Sequence, residues 1–317
     1  MIASLLLACS NDFGLERVQG FVPAGDTGEG RDPDAEAAGD DTAAPADTAE
    51  PLDSEPEEVP PEDTSPPVDT GAVEEPAPED DCDHTSDLVY ALSRDDRKLY
   101  TFDPASRAFA ELGEIDCPTS QDPASMAVDR TGTAWVRFGD DSVWEVNLTT
   151  FRCDATTYDS RRNGFGSFGM GYATDSKGGW QDQLYVANDD TLAVLDPASW
   201  TLGVLGSMPS QSELTGNADG ELWAILPLER TARLVQLDKS TGAELGRISL
   251  PGFPDPSGID TFAFATWDGA FYLFVREHGM GESTSVYEVE RDGTMTRIVS
   301  DSGLNVVGAG VSTCAPA

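Results

Sequence analysis

From residue 86 to 317 the chain runs in short stretches of alternating apolar and polar residues, separated by turn residues and by no helical segment. Five of these stretches carry an aromatic at a matching place: DLVYALSR, TAWVRFGD, QLYVANDD, ELWAILPL and AFYLFVRE. The aromatics are Tyr90, Trp135, Tyr185, Trp223 and Tyr272, spaced by 45, 50, 38 and 49 residues. A second alternating stretch follows each one: KLYTFDPAS, SVWEVNLTT, TLAVLDPAS, RLVQLDKST and SVYEVERDG. At one equivalent position stand Asp103, Asn147, Asp196, Asp238 and Glu290, each opening a turn suited to a hairpin. A third stretch comes after, as in RAFAELGE, TLGVLGSM and AELGRISL. A fourth precedes the aromatic: SMAVDRTG, FGMGYATD, ELTGNADG and FAFATWDG. Gly132, Gly220 and Gly269 each fall three residues ahead of the aromatic, where a tight hairpin needs a positive φ.

Four short strands in each unit, repeated without a helix, predict an all-β fold: a five-bladed β-propeller over residues 86–317. The first unit has no leading stretch of its own, while VVGAGVSTC follows the last unit unpaired. Residues 306–313 are therefore expected to supply the innermost strand of the first blade, closing the ring and removing an exposed sheet edge. Apart from Cys9 there are four cysteines, which allow three pairings. The ring model selects one of them. Cys82 lies just before the strand that the C-terminal stretch would join, so a Cys82–Cys314 bond would staple the two ends. Cys117, in the crossover to blade two, would pair with Cys153 in that blade's outer strand. No CxxC or clustered histidines indicate zinc.

Composition divides the chain. Residues 31–80 hold 18 acidic residues, ten prolines and one basic residue, and no aromatic falls between Phe21 and Tyr90. Such a stretch cannot bury enough apolar surface to offset chain entropy, so residues 9–85 are expected to be a disordered, self-repelling stalk. Of the net charge of −39, −22 belongs to residues 1–85 (24 acidic, two basic) and −17 to residues 86–317 (34 acidic, 17 basic). A nucleic-acid binder needs a basic footprint, and none is present.

The chain opens MIASLLLACSND. Its apolar run is far shorter than the ~20 residues of a spanning helix and ends on small residues, as secretory signals do. Leu6-Leu7-Ala8-Cys9 resembles the lipobox of bacterial lipoproteins. The resemblance implies a signal remnant over residues 1–8 and an acylated Cys9 whose acyl chains anchor the protein in a lipid bilayer. Ser10 implies sorting to an outer membrane. SMAVDRTGTAWV, FGMGY, ELTG and the terminal VGAGVSTCAP make residues 86–317 similar to uncharacterised extracellular propeller lipoproteins of Gram-negative bacteria. That resemblance implies fold and location and brings no assigned activity.

Candidate chemistry is sparse. GFGSFG at 164–169 matches the GxGxxG expression, but it leads into a strand rather than a helix, so no dinucleotide site is expected. His84 and His278 are the only histidines, too few for a convincing triad. Asp95-Asp96, Asp140-Asp141 and Asp189-Asp190 follow the aromatic by four or five residues, in the same hairpin loop of blades one to three. Aspartate suits such turns, and six carboxylates on one face could also collect a hard cation such as Ca²⁺. Arg161, Arg162, Glu229, Arg230, Arg276 and Glu277 are expected on the same face. No other cofactor is expected. These features predict a membrane-tethered extracytoplasmic lipoprotein, monomeric, whose propeller binds or scaffolds a protein or polysaccharide. The alternative is a carbohydrate-active enzyme with axial carboxylates, which need a separation of roughly 5–9.5 Å.

Overall fold

The alternation becomes twenty short strands in five four-stranded antiparallel sheets, one per sequence unit, arranged as a five-bladed β-propeller. The computed structural model describes Cys82, residues 88–279 and residues 283–317. Cys9, the acidic stretch and His84 lie outside the described residues. The inner strands are Val306–Gly310, Pro123–Val128, Gly169–Thr174, Glu213–Gly216 and Ile259–Trp267, for blades one to five. Val306–Gly310 pairs antiparallel with Val89–Ser93, so the C-terminal strand closes blade one as expected. It stops three residues earlier than the pattern suggested, and residues 312–315 form a turn through the Ala315 N–H to Ser312 carbonyl bond.

Period-two alternation sends each strand's side chains into the two neighbouring blade interfaces. In Thr133–Phe138, Ala134, Val136 and Phe138 join the cluster shared with blade one, while Trp135 joins the one shared with blade three. Five such clusters circle the ring. Each fully buried large side chain contributes roughly 1.5–3 kcal/mol of hydrophobic stabilisation. The five repeated aromatics sit at one register level, opposite Gly310, Ala127, Gly171, Thr215 and Ala265 of the inner strands. Large residues thus point between blades where the ring widens, and small ones crowd its axis. Gly132, Gly220 and Gly269 have φ of 81°, 75° and 77°, the conformation their turns required. At the turns between third and fourth strands, on the same face, Asp103, Asn147, Asp196 and Asp238 accept backbone N–H bonds from two residues further on, which makes them Asx turns.

The outer strands present open edges, which invite pairing with other chains. In blades one, three, four and five the register slips where the outer strand pairs with its neighbour. Such bulges twist an edge away from flat pairing. Blade two has no slip there, but its outer strand, Cys153–Ala155, is three residues long. Disulfides join Cys82 to Cys314 and Cys117 to Cys153, the pairing that ring closure selects.

Two outcomes test this architecture. A Cβ added at Gly171 would lie 2.7 Å from the Leu214 carbonyl carbon, so Gly171→Ala should lower unfolding free energy by about 1–3 kcal/mol in denaturant titrations. Cys314→Ser opens the staple and should cost about 2–4 kcal/mol, read as a drop in melting temperature that reducing agent equals or exceeds in the unmutated chain, where it also opens Cys117–Cys153.

Candidate functional site

Inner strands begin at the blade-to-blade crossovers, and the turn between second and third strands returns to that same face. The three aspartate pairs occupy those turns in blades one to three. In each pair at least one carboxylate accepts a hydrogen bond. Asp95 Oδ1 accepts from Asn305 Nδ2 at 2.8 Å, and Asp96 Oδ2 accepts from the Tyr100 hydroxyl at 2.5 Å. Burial pushes the Asp96 pKa up, but hydrogen bonds from Tyr100, Ser93 and Lys98 outweigh it and hold the group below its ordinary value. Asp140 Oδ1 accepts from the backbone and hydroxyl of Ser142, and Asp190 Oδ1 from the Thr191 hydroxyl. Asp141 Oδ1 accepts from the Ser167 N–H at 2.7 Å. Among the described residues, no three His, Cys, Asp or Glu groups come together as a metal site.

The basic candidates are spread out. Arg161 and Arg162 are exposed on the short helix Ser160–Asn163, whose N-terminus is capped by Asp159. Gly164, first residue of the GxGxxG match, ends that helix with φ of 63°, and Gly169 opens an inner strand. Arg276 in blade five pairs with Asp260 at 3.0 Å, with His278 Nε2 on the other oxygen at 4.0 Å. Glu229 pairs with Arg233, and Arg230 is exposed.

The axis holds a group that none of these motifs indicated. One level towards the crossover face from the aromatic layer, the inner strands contribute Gly308, Ser125, Gly169, Glu213 and Ala263. Glu213 spans the axis from blade four, and its Oε2 accepts from the Ser125 hydroxyl of blade two at 2.8 Å. A Cβ on Gly169 would meet the Glu213 carboxyl carbon at 3.0 Å, so the small residue opposite makes room for this side chain. Opposite Ser125 in blade two stands Arg137, where the other blades carry Leu92, Ala187, Ile225 and Phe274. The buried Arg137 guanidinium donates through Nε to the Phe168 carbonyl at 2.8 Å and lies 3.6 Å from Asp141. Its charge also acts favourably on Glu213.

Burial is the largest influence on Glu213. It raises the pKa to about 8, against the lowering effects of the Ser125 hydroxyl, the Arg137 charge and the Met170 N–H. The acid is therefore mostly neutral at pH 7. Burial likewise pulls the Arg137 pKa down, with Glu213 and Asp141 opposing that shift. One signal in the sequence could have exposed Glu213. Alignment of SMAV, GMGY and ELTG places a glutamate where the other units have Ser125 and Gly169.

No family model and no curated protein matches the chain. Among solved structures, the chain is similar to a protein of unknown function from Bacteroides caccae. The TM-score is 0.41 at 11% identity, over 70% of this chain and 97% of that one.

Glu213 makes stability depend on pH with a defined sign. Its pKa is raised on folding, so its stabilising contribution is full below about pH 4.5 and is lost as pH climbs through about 8. Glu213→Gln keeps the shape and removes the titration. Relative to the unmutated chain, this variant should gain stability as pH rises from 5 to 8.5, by about 1.4 kcal/mol per unit over the steep part. Chemical denaturation at a series of pH values checks it, and parallel profiles for the two chains would contradict the assignment.

Proposed function

We propose that this chain is an extracytoplasmic binding or scaffolding module, tethered to a lipid bilayer through acylated Cys9 and spaced from it by the acidic stretch. The observation that carries the reading is the closed axis. Between Ala127, Gly171, Thr215 and Gly310 there is no room for a water molecule. Partners therefore meet the faces of the disc, not a central channel. The two disulfides support placement in an oxidising compartment, the lipobox-like Leu6-Leu7-Ala8-Cys9 supports the lipid anchor, and Ser10 supports an outer-membrane location. A rigid disc closed along its axis suits presentation of a surface to a protein or polysaccharide. The acidic balance argues against nucleic acid as that partner. A glycosidase would need a second carboxylate beside Glu213, and the axial layer contributes one.

The reading is tested with the full chain expressed in a Gram-negative host. Metabolic labelling with a fatty acid should mark the protein, and Cys9→Ala should abolish the label and move the chain out of the membrane fraction. The purified full chain, fluorescently labelled, should then bind isolated envelope polysaccharide or outer-membrane vesicles saturably. Lack of saturable binding to either material would count against the module, and an unlabelled, soluble wild-type chain against the tether.

A further inference from the structure

On the face opposite the crossovers, blade four reaches across to blade three. Lys239, in the turn between the last two strands of blade four, donates through Nζ to the carbonyls of Thr174 at 2.5 Å and Asp175 at 2.9 Å. It forms part of the wall of a groove of about 500 Å³ between the two blades. That volume suits a small ligand, for which sites of about 300–1,000 Å³ are usual.

The wall carries hydrogen-bonding capacity that the fold leaves unused. Two carbonyl bonds leave Lys239 one N–H. The Tyr185 hydroxyl donates to Gln183 Oε1 at 2.9 Å, which leaves the Gln183 amino group and the hydroxyl lone pairs. Gln236 uses neither end of its amide among the described residues, and the Asp175 carboxylate accepts no hydrogen bond there. That carboxylate acts on the same space. Burial, and after it the Asp175 charge, push the Tyr185 pKa up to about 12.

The charges nearly balance. Lys239 offsets Asp175 and Glu221 is paired to Arg291 at 2.8 Å, while Asp238 stays ionised and accepts from the Ser240 and Thr241 N–H groups of its own turn. One net negative charge disfavours an anion, and among the described residues no three carboxylates gather here to hold a cation. Amides and a carboxylate, each able to span two neighbouring hydroxyls, match a polyol. Leu245, 63% exposed at the groove, supplies an apolar surface for the C–H face of a sugar ring. We propose that this groove binds a neutral hexose unit of a glycan. The proposal rests on the binding-module reading and names the ligand class and the place where it is held.

The test is calorimetric titration of the full chain with neutral di- and trisaccharides of gluco, manno and galacto configuration, and with trigalacturonate as the charged comparator. At least one neutral sugar should bind saturably below about 10 mM, and more tightly than trigalacturonate. Gln236→Ala, Gln183→Ala and Asp175→Asn should each weaken that binding by about tenfold or more, Gln236→Ala and Asp175→Asn without changing the melting temperature. Arg162→Ala, on the opposite face, should leave it unchanged. No neutral sugar bound at about 10 mM, a preference for trigalacturonate, or binding undiminished in all three groove variants overturns the proposal. Saturable envelope binding that persists in those variants overturns the groove alone and leaves the module standing.

Discussion

Crowding at the axis governs this molecule. Five strands converge there with Gly310, Ala127, Gly171, Thr215 and Ala265 at the level of the repeated aromatics, and the first four line a space that admits no water. A Cβ added at Gly171 would already lie 2.7 Å from the Leu214 backbone. Each inner strand must therefore present its small residues at the same height, and that sets the register of every blade. The partner strand then places its aromatic outward, in the widening wedge between blades, where bulk is needed. Axial tightness and interblade packing are thus two results of one geometric condition.

Glu213 is the exception that the ring accommodates. It is large, polar and central, and it fits because Gly308, Gly169 and Ala263 share its layer and Ser125 meets it across the axis. Arg137 supplies charge from a position that is apolar in the four other blades. A buried acid that stays neutral at pH 7 avoids much of the cost of desolvating a carboxylate, and it still fills a hydrogen-bonding role. The axis is closed by a polar contact at this level and by plain packing one level further in.

The architecture was legible because it is written five times. Recurring aromatics, turn aspartates and glycines reported the blades, and the unpaired VVGAGVSTC reported the closure and, through it, both disulfides. The aspartate pairs were placed in the right loops, but sequence alone could not show how each carboxylate is used. Asp141, for example, bonds Ser167, 26 residues away in the crossover to blade three. Glu213 escaped for a related reason. Its chemistry depends on Ser125, 88 residues away and across the axis, and short motifs carry no trace of that distance. The groove beside Lys239 was hidden in the same way, since its walls come from separate turns of two blades.

The Cys82–Cys314 bond has a mechanical meaning. It turns residues 82–314 into a covalent loop, just beyond which buried Ala315 and the Pro316 carbonyl, bonded by the Asp268 N–H, hold the chain to the ring. A pull applied to the chain ahead of Cys82 reaches Cys314 through the sulfur bridge, not through the hydrogen bonds between Val306–Gly310 and Val89–Ser93. The closing strand cannot be peeled from the outside while that bridge stands. A ring held shut in this way can be dragged by its leading end and keep its shape.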